Sequence, residues 1–248
     1  MDDLIRRAAR DLSSAKKVVA LTGAGISVES GIPPFRGKGG VWEKIDPEYA
    51  SIEKFMDDPV DVWNVLIREM KEIIDQAEPN DGHKGLVKLE EIGILSTIIT
   101  QNVDGLHQMA GSKDVIEFHG TFAWQRCLDC DQHCETSKVD ISEIPPRCKC
   151  GGIYRPDVIF FGEMIPHHHL LRSRQISSEC DVMLVIGTSA TVHPAASMPA
   201  IAKQRGAKII EINMGETPLT NNISDYLLPG KAGATMNRLI STLWNASI

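Results

Sequence analysis

Six short runs of apolar, largely β-branched residues recur along this 248-residue sequence, and helical spacing fills most of the gaps between them. The runs occupy residues 17–22, 95–101, 115–118, 182–186, 208–212 and 225–228. Such continuous runs, as opposed to alternating ones, suit parallel strands covered on both faces. Helical patterns lie over 4–14, 83–91, 194–205 and 234–244. Strand and helix in alternation predict an α/β fold with a Rossmann-like, doubly wound parallel sheet.

Two stretches break the rhythm. Residues 33–78 read as helix and loop, punctuated by Pro33-Pro34, Gly37, Gly39-Gly40 and Asp58-Pro59. Residues 126–156 hold five of the six cysteines and Pro145-Pro146. Both are expected to be insertions that pack as a smaller lobe. The triplet His167-His168-His169 follows a proline and is expected in a solvated turn. At this length the chain buries a core without staples. Its 26 basic and 33 acidic residues give a net charge of −7, which argues against direct nucleic-acid binding. The N-terminus has two acids and no apolar segment of the kind a secretory signal needs, and no apolar run is long enough to span a bilayer. The expectation is a soluble, cytoplasmic protein without membrane association, in which cysteines serve something other than disulfides.

Four polar or glycine-rich segments fall at expected strand ends, where open α/β sheets bind ligands. Thr22-Gly23-Ala24-Gly25 follows the first strand, and its glycines suit either a diphosphate cradle or an ordinary tight turn. Val28 stands where the dinucleotide fingerprint has its third glycine, and Gly31-Ile32-Pro33-Pro34 interrupts any helix there. Gln101-Asn102-Val103-Asp104 suits hydrogen bonding to a sugar or amide, or else Asp104 caps a following helix. His119, followed by Gly120, reads as a structural histidine or as a general base. Gly187-Thr188-Ser189 and Glu211-Ile212-Asn213 offer hydroxyls and N–H groups to a phosphate or ribose. Together they point to one extended nucleotide crevice.

Cys127-x2-Cys130 is followed after seventeen residues by Cys148-x-Cys150 and Gly151-Gly152. Four thiolates in two close pairs suit tetrahedral zinc, and a four-cysteine shell leaves no open position, so the metal would be structural. Cys134 reads as a bystander or as a replacement for one of the four ligands, and Cys180 as a small buried hydrophobe.

Taken in order, these segments resemble the sirtuin family of NAD-dependent protein deacylases. The resemblance rests on Gly-Ala-Gly-Ile-Ser27, Ser30-Gly-Ile-Pro-Pro-Phe-Arg36, Thr-Gln-Asn-Val-Asp104, His119-Gly, the paired cysteines, Arg155-Pro-Asp-Val-Ile-Phe-Phe-Gly-Glu163, Gly-Thr-Ser189 and Ile-Asn213, and it runs from about residue 15 to 235. It implies a Rossmann-like domain of residues 1–32, 79–120 and 157–248. A helical cofactor-loop module (33–78) and a zinc module (121–156, with Cys127, Cys130, Cys148 and Cys150 as ligands) would form the small domain. NAD, as co-substrate, would contact Gly23, Ala24, Gly25, Ser27, Ser30, Phe35, Arg36, Gln101, Asn102, Asp104, Gly187, Thr188, Ser189, Asn213 and Ala232. An acetylated-lysine protein or peptide would meet Ile159, Phe161, Gly162, Glu163 and Val192. His119 and Asn102 would be catalytic. In the implied reaction the acyl oxygen attacks C1′ of the nicotinamide ribose, nicotinamide leaves, and His119 takes a proton from the ribose hydroxyl system. Free lysine and O-acyl-ADP-ribose follow.

Family members that remove succinyl or malonyl groups carry a Tyr and an Arg three apart. The matching positions here hold Leu66 and Glu69, with Arg68 one residue away. A carboxylate at Glu69 would repel a dicarboxylic acyl group if it faced the pocket, so acetyl is favoured. Pro34 also departs from the family pattern. The other readings of the same sequence are an ADP-ribosyltransferase or NAD hydrolase, a desuccinylase-type deacylase, and a non-enzymatic NAD-sensing or zinc-ribbon interaction module.

Overall fold

A computed structural model describes residues 1–245. Strands are β1 (Val18–Thr22), β2 (Leu95–Thr100), β3 (Val115–Glu117), β4 (Gly120–Cys127), β5 (His133–Glu135), β6 (Tyr154–Val158), β7 (Val182–Ile186), β8 (Lys208–Asn213) and β9 (Tyr226–Pro229). Helices are α1 (Asp2–Ser14), α2 (Ile52–Asp57), α3 (Pro59–Val62), α4 (Arg68–Asp75), α5 (Asp81–Glu91), α6 (Leu106–Ala110), α7 (His167–Glu179), α8 (Met198–Gln204) and α9 (Ala232–Asn245).

Six strands form a wholly parallel sheet in the order β3-β2-β1-β7-β8-β9. Strand order reverses between β1 and β7, which opens a crevice beyond their C-terminal ends. Every residue of β1 and β7 is buried, as their unbroken apolar runs require. Side chains from α1, α5 and α9 cover one face, led by Leu12, Leu86, Leu89 and Leu239. On the other face Ile176 of α7 and Met198 and Ala202 of α8 pack on Leu21, Met183 and Ile209.

The histidine triplet departs from its expected turn: it forms the first turn of α7, directly after Pro166. Ser173 and Ser177 share the buried face with Ile176, so the helix lacks the apolar stripe that would have marked it.

Three further strands make a separate antiparallel sheet, β5-β4-β6. β4 and β6 run through residues 120/121 and 156/157, so a paired ribbon carries the chain out of the main sheet and back. Residues 33–78 form short helices and turns, including a π-helical turn at Trp63–Ile67, around a core of Phe55, Trp63, Leu66, Ile67 and Met70. Among the described residues no helix is long and apolar enough to cross a membrane.

Candidate active site

A cleft of about 1050 Å³ opens beyond the C-terminal ends of β1 and β7 and reaches the helical module and the ribbon. Its floor is backbone. Gly25 N–H donates to the Gly187 carbonyl at 2.7 Å, and a Cβ on Gly25 would stand 2.7 Å from the Gly187 backbone. Only glycine permits that approach. In place of a long helix, two 3₁₀ turns, Ala24–Ile26 and Val28–Ser30, follow the loop and end at Gly31 in the left-handed region.

Hydrogen bonds between strand ends fix the surrounding side chains. Gln101 donates to Thr188 Oγ1 at 2.9 Å, and Asn213 donates to the Thr188 carbonyl at 2.9 Å. Asn102 donates to the Gly23 carbonyl and to Ser27 Oγ at 3.2 and 3.1 Å, so both amide hydrogens are used and its oxygen is left for a ligand. Ser27 Oγ donates to Asp104 Oδ2 at 2.7 Å. The other Asp104 oxygen accepts from Leu106 N–H at 2.9 Å, in the turn that leads into α6. Burial pushes this carboxyl up, against the opposing Leu106 and Ser27 hydrogen bonds.

His119 stands in the same cleft. Its Nδ1–H donates to the Gln101 carbonyl at 3.1 Å, which leaves the lone pair on Nε2. Burial pulls its pKa below the ordinary histidine value, partly offset by that carbonyl, so the ring is neutral near pH 7. Gly120 follows at φ +77°, where a Cβ would collide with the Asp157 carbonyl oxygen of the paired strand. The His119 carbonyl accepts from Ile159 N–H at 2.8 Å, which ties this histidine to residues 158–163 on the far wall.

That wall is pinned to the helical module. Phe161 N–H donates to the Ala50 carbonyl and its carbonyl accepts from Ile52 N–H, at 2.7 and 2.9 Å. Phe35 stacks on Trp42 with ring centroids 5.3 Å apart, and Val41 and Trp42 N–H groups donate to Pro34 and Phe35 carbonyls. Leu66, Ile67, Met70 and Phe122 supply an apolar end.

The cleft therefore gathers most of the residues singled out in sequence: Gly23, Ala24, Gly25, Phe35, Arg36, Gln101, Asn102, His119, Ile159, Phe161, Gly162, Glu163, Gly187, Thr188, Ser189, Val192 and Asn213. Four expected cofactor contacts stand elsewhere. Ser27 and Asp104 lie behind Asn102 in the network above. Ser30 accepts from Asn80 Nδ2 at 2.8 Å. Ala232 begins α9 and is buried in the core of the opposite sheet face. Glu163 reaches the cleft, but its carboxylate is taken by Arg155 and by Phe160 N–H. Glu69 is exposed and off the cleft wall, because Leu66 and Met70 take the inward face of that helical turn. The expected repulsion from Glu69 thus has no geometric basis. Sequence reasoning missed Trp42, Met70 and Phe122, whose positions depend on how separate segments pack and carry no local signal.

Cys127, Cys130, Cys148 and Cys150 converge with all four sulfurs within 4.8 Å of one another. The Cys127–Cys150 and Cys130–Cys148 separations are 3.5 and 3.7 Å. Zinc–sulfur bonds of about 2.3 Å in a tetrahedron place sulfurs roughly 3.8 Å apart, so the donor set fits structural zinc. Cys134 sits outside the four, half-buried against them on β5, and Cys180 is buried in the main core.

Comparison with known proteins agrees with this geometry. Residues 23–194 match the model of the Sir2 family. The NAD-dependent protein deacylase 1 of Archaeoglobus fulgidus is 47% identical over 93% of this chain and 94% of its own length. The NAD-dependent protein deacetylase of Saccharolobus solfataricus is 46% identical over 91% of each. The crystal structure of a Sir2 homologue–NAD complex superposes with a TM-score of 0.89 at 46% identity, covering 97% of this chain and 94% of that one. With the reversed strand order, the glycine-lined crevice and the four-thiol cluster, these matches make the chain a member of the Sir2 family.

Proposed function

We propose that this protein is an NAD-dependent protein-lysine deacetylase that acts in the cytoplasm on acetylated-lysine proteins or peptides. The observation that carries the reading is a neutral, Nε2-free His119 in one cleft with the Gly23–Gly25 and Gly187–Ser189 turns. The two-lobe division expected from the sequence suits it, since the cleft lies between the main sheet and the ribbon and helical module.

NAD, when bound, would supply a ribosyl carbon that takes the acyl oxygen as its bond to nicotinamide breaks; with one water consumed, the amide bond to lysine breaks and the acyl group passes to a ribose hydroxyl as O-acyl-ADP-ribose. The Gly23–Gly25 backbone would take its diphosphate, with Arg36 nearby as counter-charge. Gly187, Thr188, Ser189 and Asn213 would hold the adenosine half. Gln101 and Asn102 would address the nicotinamide end. Ser27 and Asp104 act from behind, by fixing the Asn102 amide. His119 Nε2 accepts a proton from a ribose hydroxyl, and its Nδ1–H, held by the Gln101 carbonyl, keeps the ring in the required tautomer. Ile159, Phe161, Gly162 and Val192 would flank the acyl-lysine as an added strand. Leu66, Ile67, Met70 and Phe122 favour a neutral acyl group, because a buried succinyl carboxylate would lack a partner there. Zinc on the four cysteines would hold the β4–β6 ribbon together.

Mass spectrometry of products from NAD with acetyl-, succinyl- and long-chain acyl-lysine peptides tests this. The expected result is O-acetyl-ADP-ribose with nicotinamide in equal amount and little turnover of the succinyl peptide. NAD consumption without deacylation would favour ADP-ribosyl transfer or hydrolysis instead.

A further inference from the structure

Residues 158–163 form a strap between the base and the helical module, and one buried ion pair gives it its shape. Arg155 on β6 is almost wholly buried. Its two terminal nitrogens meet the two Glu163 oxygens at 2.7 Å each, a bidentate pair. Glu163 Oε2 also accepts from Phe160 N–H at 2.8 Å, and Arg155 donates to the Val158 carbonyl. The guanidinium lies 4.7 Å from the centre of the Phe160 ring, which packs in turn on Phe55 of the helical module. The strap is thus curled around a single cation, with both Glu163 oxygens bonded to it.

We propose that Arg155 and Glu163 are a positioning pair for the acylated peptide. They hold the strap, bonded at Ile159 to His119 and at Phe161 to Ala50 and Ile52, so that the Gly162 backbone at its end is presented to a peptide strand at a fixed distance from His119. The inference rests on the deacylase reading. It replaces a substrate-contacting role for Glu163 with an indirect one and gives Arg155 a role in recognition.

The test is steady-state kinetics of the full-length chain with NAD and an acetyl-lysine peptide varied in turn. Glu163→Ala should raise the peptide KM about tenfold, with the KM for NAD changed less than about twofold and kcat less than about threefold. Glu163→Gln, which can still accept from Phe160 N–H, should fall between wild type and Glu163→Ala. The double variant Arg155→Met/Glu163→Met should be no worse than Arg155→Met alone, because the two act as a unit. An unchanged peptide KM in folded Glu163→Ala overturns the proposal. So do additive losses in the double variant, or a parallel decline of both KM values, kcat and Tm, which would mark a purely structural pair. Should the alanine variant not fold, Glu163→Gln and Arg155→Lys decide, and wild-type peptide KM in both overturns it. Should wild type turn over NAD without deacylating peptide, the deacylase reading fails on its own. Anisotropy of a labelled acetyl-lysine peptide then decides, weaker binding to Glu163→Gln supporting the pair and equal binding refuting it.

Discussion

The two walls of the cleft are built on opposite principles. On the sheet side, backbone meets backbone: Gly25 on Gly187, Gly23 against Thr188, and polar side chains that bond to neighbouring strand ends. On the lobe side, apolar side chains from distant segments share one core, with the strap pinned to Ala50 and Ile52. A backbone surface tolerates almost no substitution, because a single Cβ fills it. A side-chain surface can trade volume between neighbours at a cost of about 1 to 3 kcal/mol. The sheet side should therefore be fixed for one ligand, and the lobe side tunable.

The largest effect should come from the residue common to both walls. His119→Ala is expected to lower kcat/KM by roughly 10² to 10⁴ while NAD still binds, measured by turnover and by calorimetric titration. Next, Cys148→Ser or chelation should remove the zinc site, loosen the β4–β6 ribbon and lower kcat/KM, by less than His119→Ala does. Circular dichroism should then show most of the α/β signal remaining, and global unfolding would mean the walls are not separable. Gly25→Ala should raise the KM for NAD by at least about tenfold through the clash with Gly187, against a change of only about two- to fivefold in acyl preference for Leu66→Ala. Comparable effects from these two would erase the distinction.

Protonation sharpens the comparison on the sheet side alone. His83 and His107 are buried beneath it, and desolvation lowers their pKa values to about 4 and about 3. The unfolded chain binds these protons near pH 6.5 and the folded chain does not, so stability falls as pH drops from about 6.5 to 4, by about 1.4 kcal/mol per histidine per pH unit. Denaturant midpoints across that range check it, and His107→Gln should flatten the slope. The rate should show the same sign, because His119 must be neutral: kcat/KM rises with pH through an inflection below about 6.5.

The same contrast explains what could be read in advance. Backbone surfaces leave local marks, since glycines, Gln101-Asn102 and Gly187-Thr188 must sit at strand ends, and the four cysteines carry their own spacing. The sheet, its crevice and the metal cluster were legible for that reason. The exposure of Glu69 and the inward face of Leu66 and Met70 were not, because a π-helical turn at Trp63–Ile67 sets the rotation of that segment. Helix α7 escaped notice because serines, and few apolar residues, line its buried face. Asp104 carried two meanings, cap or ligand contact; the structure gives the N-cap of α6 to Gly105 and spends the Asp104 carboxylate on Leu106 N–H and Ser27 Oγ.

His119 is bonded to both sides at once, through its ring to the Gln101 carbonyl and through its own carbonyl to Ile159. The two walls are therefore surveyed from one benchmark. A displacement of residues 158–163 relative to the sheet would act on His119 from both ends, and it must bend or break either the Ile159 bond or the Gln101 bond. The position of the His119 ring thus reports the width of the cleft.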